Sequence, residues 1–284
     1  LLPGRVSVIQ LDGWTNADMT VLADTGPVVE WPSRRSAARG RRGRGGDDDD
    51  AHARARQRID DAFGAARAWL SARTADPSVP LDVRHAALAP AVRGEVPVFV
   101  LAEGLEQIES AVLWGASRGL RVVIVGGQEA DRCTSLLLRH DVPVVVDGVH
   151  RLPRRPDSPH DESFTLPARL AAAGIRLCIA TGEDFSNDRN LPYHAATAAA
   201  HGLDPALALR AITLEPARVL GVGDRLGSLE VGKDATLFVA DGHPFELTTR
   251  IEQAFVQGRE IDLRNKQTEL ARKYRERYRQ LRAR

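Results

Sequence analysis

The chain has 284 residues, 43% of them hydrophobic, and its 39 Lys and Arg against 38 Asp and Glu leave a formal net charge of +1. That size and apolar content are enough for a folded core, and the near-neutral balance provides no long-range field that would favour nucleic acid or an anionic membrane as partner. No apolar run approaches the roughly 20 residues that a bilayer-spanning helix needs, so a soluble chain is expected. Its two cysteines, Cys133 and Cys178, lack any CxxC or Cys/His spacing, which argues against a zinc knuckle or a structural disulfide.

The chain opens directly on the strand-like RVSVIQLDGW (Arg5 to Trp14), with no basic stretch leading into an apolar one. Its natural start is therefore expected to lie further upstream, and the compartment is left unspecified. Residues 1–32 alternate short apolar runs with turn residues and end at Trp31-Pro32, a strand-containing segment. From Ser33 to Arg58 an Arg/Gly block abuts the acidic run Asp47 to Asp50, and its low hydrophobicity predicts a disordered insertion at 33–58. RNA binding by this block is disfavoured, because four aspartates follow the arginines and no aromatic residue is interleaved.

Ile59, Ala62, Phe63, Ala66 and Leu70 recur at helical spacing and predict an amphipathic helix. A short second helix is expected around Val83 to Val92. A regular series follows: the strand PVFVLA (Pro97 to Ala102) and a helix, VVIVGG (Val122 to Gly127) and a helix, VPVVVDG (Val142 to Gly148), then a long loop, the helix LPARLAAAG and the strand IRLCIATG (Ile175 to Gly182). Strands apolar on both faces and separated by helices are the pattern of a covered parallel sheet. Periodicity alone does not choose between half of a (β/α) barrel and a doubly wound sheet.

The segment from Asn190 to Leu247 decides between them. It carries Ala211-Ile212-Thr213, Pro216-Ala217, Leu220-Gly221, Gly227-Ser228-Leu229, Gly232-Lys233 and Asp234-Ala235, and AFVQGREI (Ala254 to Ile261) follows. This series resembles the end of the amidohydrolase superfamily, in particular its imidazolonepropionase-like members. The resemblance implies an α/β fold with a partial TIM-like barrel and a β-sandwich tail, and hydrolysis of carbon–nitrogen bonds other than peptide bonds, in a cyclic amide or related small molecule. It sets 59–225 as the second half of the barrel and 226–263 as the tail strands, leaving 264–284 as a basic terminal helix. Leu270, Tyr274, Tyr278 and Leu281 form a stripe on that helix, expected to dock on the body.

The resemblance also implies metal ligands: a histidine at the end of the fifth strand, another at the end of the sixth and an aspartate at the end of the eighth. The matching positions read Leu101, Gly126 or Gly127, and Gly182. None offers a metal donor, so the zinc or manganese expected of the family finds no support at these positions. The remaining candidates follow strand C-termini, where barrel sites lie. Asp184, Glu183 and His150 are the candidate catalytic groups, and Arg154, Arg155, Arg189, His160 and His194 are candidates for holding substrate, the arginines because a guanidinium clamps a carboxylate or phosphate bidentately. Glu129 and Glu106, at helix starts, are assigned to the helix dipole. Two readings remain open, each with a homo-oligomer among its partners: a hydrolase with a small-molecule substrate, or a barrel that has lost catalysis and binds a small anion or a protein.

Overall fold

The computed structural model describes residues 1–33, 45–182 and 185–283, and within them the side chains other than those of 45–49 and 185–186. The chain divides into two units, Leu1–Ser228 and Leu229–Arg284.

The first unit is built on a six-stranded sheet, curled as half of a barrel, in which spatial order equals sequence order. It begins with β1 (Gly4–Ile9), the one-turn helix α1 (Asn16–Met19) and β2 (Thr20–Glu30). β1 pairs antiparallel with β2, whose last residues, Val28 to Glu30, run parallel to β3 (Val98–Ala102). Residues 1–32 therefore supply a barrel strand and its edge. Two helices, α2 (Gly45–Ala75) and α3 (Val83–Val92), lie between β2 and β3.

From β3 the pattern is regular: α4 (Leu105–Ser117), β4 (Val122–Gly126), a 3-10 turn (Ala130–Cys133) with α5 (Thr134–Arg139), β5 (Val144–Asp147), α6 (Glu162–Ala172) and β6 (Leu177–Ala180). All neighbouring pairs from β2 to β6 are parallel. The strands bury both faces, as their unbroken apolar runs require: Val98 and Val100 are buried on one side, Phe99 and Val123 on the other. Helix α4 covers the sheet with Ile108, Ala111, Val112 and Gly115, the i, i+3, i+4, i+7 stripe of an amphipathic helix. After β6 come a 3-10 turn (Phe185–Asn190), α7 (Leu191–Ala200), α8 (Pro205–Ala211) and α9 (Leu214–Val219). Cys133 and Cys178 are both buried thiols, their pKa values pushed up by burial to about 11 and about 12.

Two local expectations change. Helix α2 reaches back to Gly45, so residues 45–58 of the 33–58 insertion are helical, and 34–44 lie outside the described residues. Low hydrophobicity concealed a good helix: Ala51, Ala53 and Ala55 have the highest helix propensity. Helix α6 likewise begins at Glu162, before Leu166, because Pro167 is accommodated inside it; the loop after β5 is correspondingly shorter.

The second unit holds β7 (Leu237–Ala240), β8 (Ile251–Val256) and β9 (Arg259–Glu260) in one small antiparallel sheet, with Gln257 and Gly258 both at positive φ in the tight β8–β9 turn. The basic helix α10 (Lys266–Arg282) follows. Within this unit its stripe is not covered: Leu270 is 41% and Tyr278 57% accessible. Local interactions hold the helix, through the Asn265–Thr268 capping box and the i, i+3 pairs Glu269–Arg272 and Glu276–Arg279. Among the described residues no helix is long and apolar enough to cross a membrane.

Helix α2 is fastened to α4 through one aromatic joint. The Trp114 ring lies 5.1 Å from Trp31 and edge-on to Phe63 at 5.2 Å, and its Nε1 donates to Asp60 at 2.6 Å. Trp114→Ala should cost about 3–5 kcal/mol in denaturant unfolding, whereas Trp14→Ala, at a side chain 99% exposed, should change stability by less than about 0.5 kcal/mol.

Candidate functional site

The register of the parallel strands brings their C-terminal ends to one edge: Ala102 lies opposite Gly126, Gly126 opposite Val146, and Asp147 opposite Ala180. The residues after these ends form the candidate site. They assemble into two groups, one of imidazoles beyond β5 and one of arginines beyond β3, β4 and β5.

The imidazole group joins two residues distant in sequence. His194, on α7, is 6% exposed and accepts the Val149 backbone N–H at its Nδ1, 3.0 Å away. That acceptor role puts the ring proton of the neutral form on Nε2. His150, next along the chain from Val149, stacks on His194 with ring centroids 4.1 Å apart, and its Nε2 lies 2.8 Å from Thr197 Oγ1. Burial, helped by the neighbouring His150, pushes His194 down to about 4, and burial alone lowers His150. Both rings are accordingly neutral near pH 7, and a neutral imidazole can accept a proton. Gly148 makes the turn into this group at φ +67°.

The arginine group is organised by Glu129, 8% exposed. Its Oε2 accepts the backbone N–H of Leu105, the first residue of α4, at 2.9 Å; its Oε1 takes Arg132 at 3.0 Å and Arg155 at 2.6 Å. Burial raises the carboxyl's pKa, but the Leu105 N–H and the Arg154, Arg155 and Arg132 guanidinium groups outweigh that and hold it below the usual range. Glu129 thus does serve a helix dipole, that of α4 and not that of the turn it precedes. Arg154 and Arg151 both donate to Gln128 Oε1, at 3.3 and 3.4 Å, and Arg154 lies 3.7 Å from Glu103.

Of the sequence candidates, the structure therefore unites His150 with His194 and Arg154 with Arg155. Arg189 is exposed on the 3-10 turn leading into α7, and His160 is exposed in the turn before α6. His160 and Asp161 are not paired with each other; Asp161 serves α6 through its carbonyl, which accepts from Phe164 and Thr165. Asp184 and Glu183 lie outside the described residues. Sequence reasoning missed Thr197 and Arg132 as partners. Both were legible by spacing, Thr197 as the i+3 neighbour of His194 and Arg132 as the i+3 neighbour of Glu129; assigning Glu129 to a helix dipole hid the second pair.

The positions where metal ligands were expected resist them. Leu101 offers no donor atom in its side chain, Gly126 and Gly127 adopt φ of +103° and +59°, and a Cβ on Gly127 would come within 2.5 Å of Val144 Cγ1. A side chain at Gly127 is excluded by both backbone and space. Among the described residues no three His, Cys, Asp or Glu side chains form a group able to hold a metal ion, so the residues present there do not fit the ion expected of the family.

A half-barrel of parallel βα units with its polar groups beyond the strand C-termini defines the (β/α) barrel class of proteins. Residues 118–263, half of the chain, match the amidohydrolase family, and the chain belongs to that family. An imidazolonepropionase of Brucella anthropi is 30% identical over 165 residues, covering 55% of this chain and 38% of the relative; one from Brucella suis is 28% identical over 166 residues with the same coverage. The chain thus spans well under half the length of the curated relatives it matches. An amidohydrolase from Thermotoga maritima MSB8 shares the fold, with a TM-score of 0.80 and 22% identity over 92% of this chain and 68% of that one.

The depressed His194 has a definite consequence for stability. The folded protein binds the proton more weakly than the unfolded chain, so stability is full above the ordinary histidine pKa of 6.5 and falls as pH drops towards about 4. Unfolding free energy should decline by about 2–3 kcal/mol across that window. His194→Asn, which keeps an acceptor for the Val149 N–H, should flatten most of the decline in urea titrations run at several pH values.

Proposed function

We propose that this chain carries part of a hydrolase acting on a carbon–nitrogen bond, other than a peptide bond, in a cyclic amide or related small molecule bearing an anionic group. The observation that carries the reading is the pair of neutral imidazoles beyond β5, held in fixed orientation at the edge where barrel chemistry occurs. Membership of the amidohydrolase family supports the reaction class. In this reading His150 accepts the proton of the attacking water while His194, locked by Val149, holds the ring in place; Asp184 and Glu183 share the acid–base work, and Arg154, Arg155, Arg189 and His160 meet the substrate's anionic group. The described strand ends fit no metal.

A second reading, a family member that binds a small anionic ligand or a protein without catalysis, draws support from the closed Gly127 position, where a ligand side chain has no room. The two separate in one assay. The whole gene product is offered a panel of cyclic amides and ring opening is followed by chromatography. Under the hydrolase reading, His150→Asn should lower kcat/KM by about 100-fold or more, and Asp184→Ala and Glu183→Ala should each lower it as well. Turnover undiminished by His150→Asn would remove the assigned role, and saturable binding without turnover would leave the second reading standing.

A further inference from the structure

We propose that the basic helix α10 lies on an anionic lipid surface, its apolar stripe in the interfacial layer and its flanking cations at the lipid headgroups.

The arrangement of side chains around the helix carries the inference. At about 100° per residue, Leu270, Tyr274, Tyr278 and Leu281 fall within an arc of about 80° that holds no charged residue. Lys266, Lys273 and Arg277 border one side of that arc and Arg275 and Arg282 the other, all within about 60° of its edges. The two glutamates stand on the opposite face, each paired there with an arginine, Glu269 with Arg272 at 2.7 Å and Glu276 with Arg279 at 2.8 Å. Among the described residues, none of the five bordering cations has a carboxylate partner. The far face is thus self-neutralised, and the unmet charge sits beside the stripe.

Charge decides the kind of partner. Helix α10 holds seven Lys and Arg against two Glu, a net +5 within a chain whose formal total is +1, so its field is local and the balance of the whole chain conceals it. A second copy of the helix would set like charge against like. A nucleic acid would meet the cations but offers nothing to the apolar stripe between them. An anionic bilayer takes both. Leucine and tyrosine enter the boundary between headgroups and acyl chains, the tyrosine hydroxyls staying in water, while Lys and Arg lay their stems along the same layer and keep their charges at the headgroups. The Asn265–Thr268 capping box already holds α10 as a helix, so binding needs little further ordering. The helix is too polar to cross a membrane and would lie along its surface. The inference does not rest on the hydrolase reading and uses none of the residues assigned to it.

Co-sedimentation of the whole protein with vesicles tests it, comparing pure phosphatidylcholine with phosphatidylcholine containing about one-third phosphatidylglycerol, at about 0.1 M and about 0.5 M salt. Binding to the anionic vesicles should be about tenfold tighter or more, and severalfold weaker at the higher salt. Two double variants remove the same charge from different faces. Lys273→Gln with Arg277→Gln, beside the stripe, should weaken binding by about tenfold or more, and Arg272→Gln with Arg279→Gln, on the far face, by less than about threefold. Tyr274→Ser with Tyr278→Ser should also weaken it by about tenfold, because the stripe enters the lipid. No side chain of α10 is buried, so each variant should melt with the unaltered protein, and circular dichroism checks that it does. Four results would each overturn the proposal: no preference for anionic vesicles, equal losses in the two charge variants, binding indifferent to the tyrosine changes, or capture by duplex RNA when both it and the vesicles are offered.

Discussion

The carboxylate of Glu129 is the joint on which the mouth of this half-barrel depends. It follows β4, yet it hydrogen-bonds to the first residue of the helix after β3 and to Arg155 in the loop after β5, so one side chain ties three successive βα connections together. A carboxyl buried to this degree is costly unless its oxygens are fully used. Here both are: one accepts a backbone N–H that the start of a helix leaves unpaired, and the other accepts two guanidiniums. The helix gains a capping charge, the arginines gain a fixed orientation, and the loops gain a common anchor.

A similar economy holds the imidazole group. The Val149 N–H, at the end of β5, would otherwise lack a ladder partner; it donates to His194 from α7, and this fixes both the ring and its tautomer. His150 then has a flat surface to stack on and a hydroxyl, Thr197, one turn further along the same helix. Burial keeps the pair uncharged near neutrality, which makes its geometry sensitive to acid.

Much of the architecture was legible in the sequence because burial on both faces of a parallel sheet writes itself as unbroken apolar runs. VFVLA, VVIVG and LCIA became β3, β4 and β6, Val83–Val92 became α3, and the glycine- and proline-marked series around Pro216 and Gly227 pointed to the lineage. Composition misled where low hydrophobicity and high helix propensity coincide, at Ala51 to Arg58, and where Pro167 reads as a boundary but sits inside α6. The site was legible only by type. His150, His194, Arg154 and Arg155 were recognisable as functional side chains following strands, but their partners come from other connections, and no spacing rule links Val149 to His194 or Leu105 to Glu129. Gly126 and Gly127 show the converse: the sequence reveals missing donors, and the structure adds that positive φ and the Val144 side chain leave Gly127 no room for one. Lineage and site chemistry are therefore separate statements about this chain.

The central role assigned to Glu129 is open to direct measurement. Glu129→Gln preserves shape but removes the charge that two guanidiniums and a helix N-terminus share. Equilibrium urea unfolding at neutral pH should show a loss of at least about 2 kcal/mol, with an unchanged dependence on denaturant. A loss below about 0.5 kcal/mol, the range of an ordinary surface substitution, would contradict the account and show that the loops of the barrel mouth are held by something else.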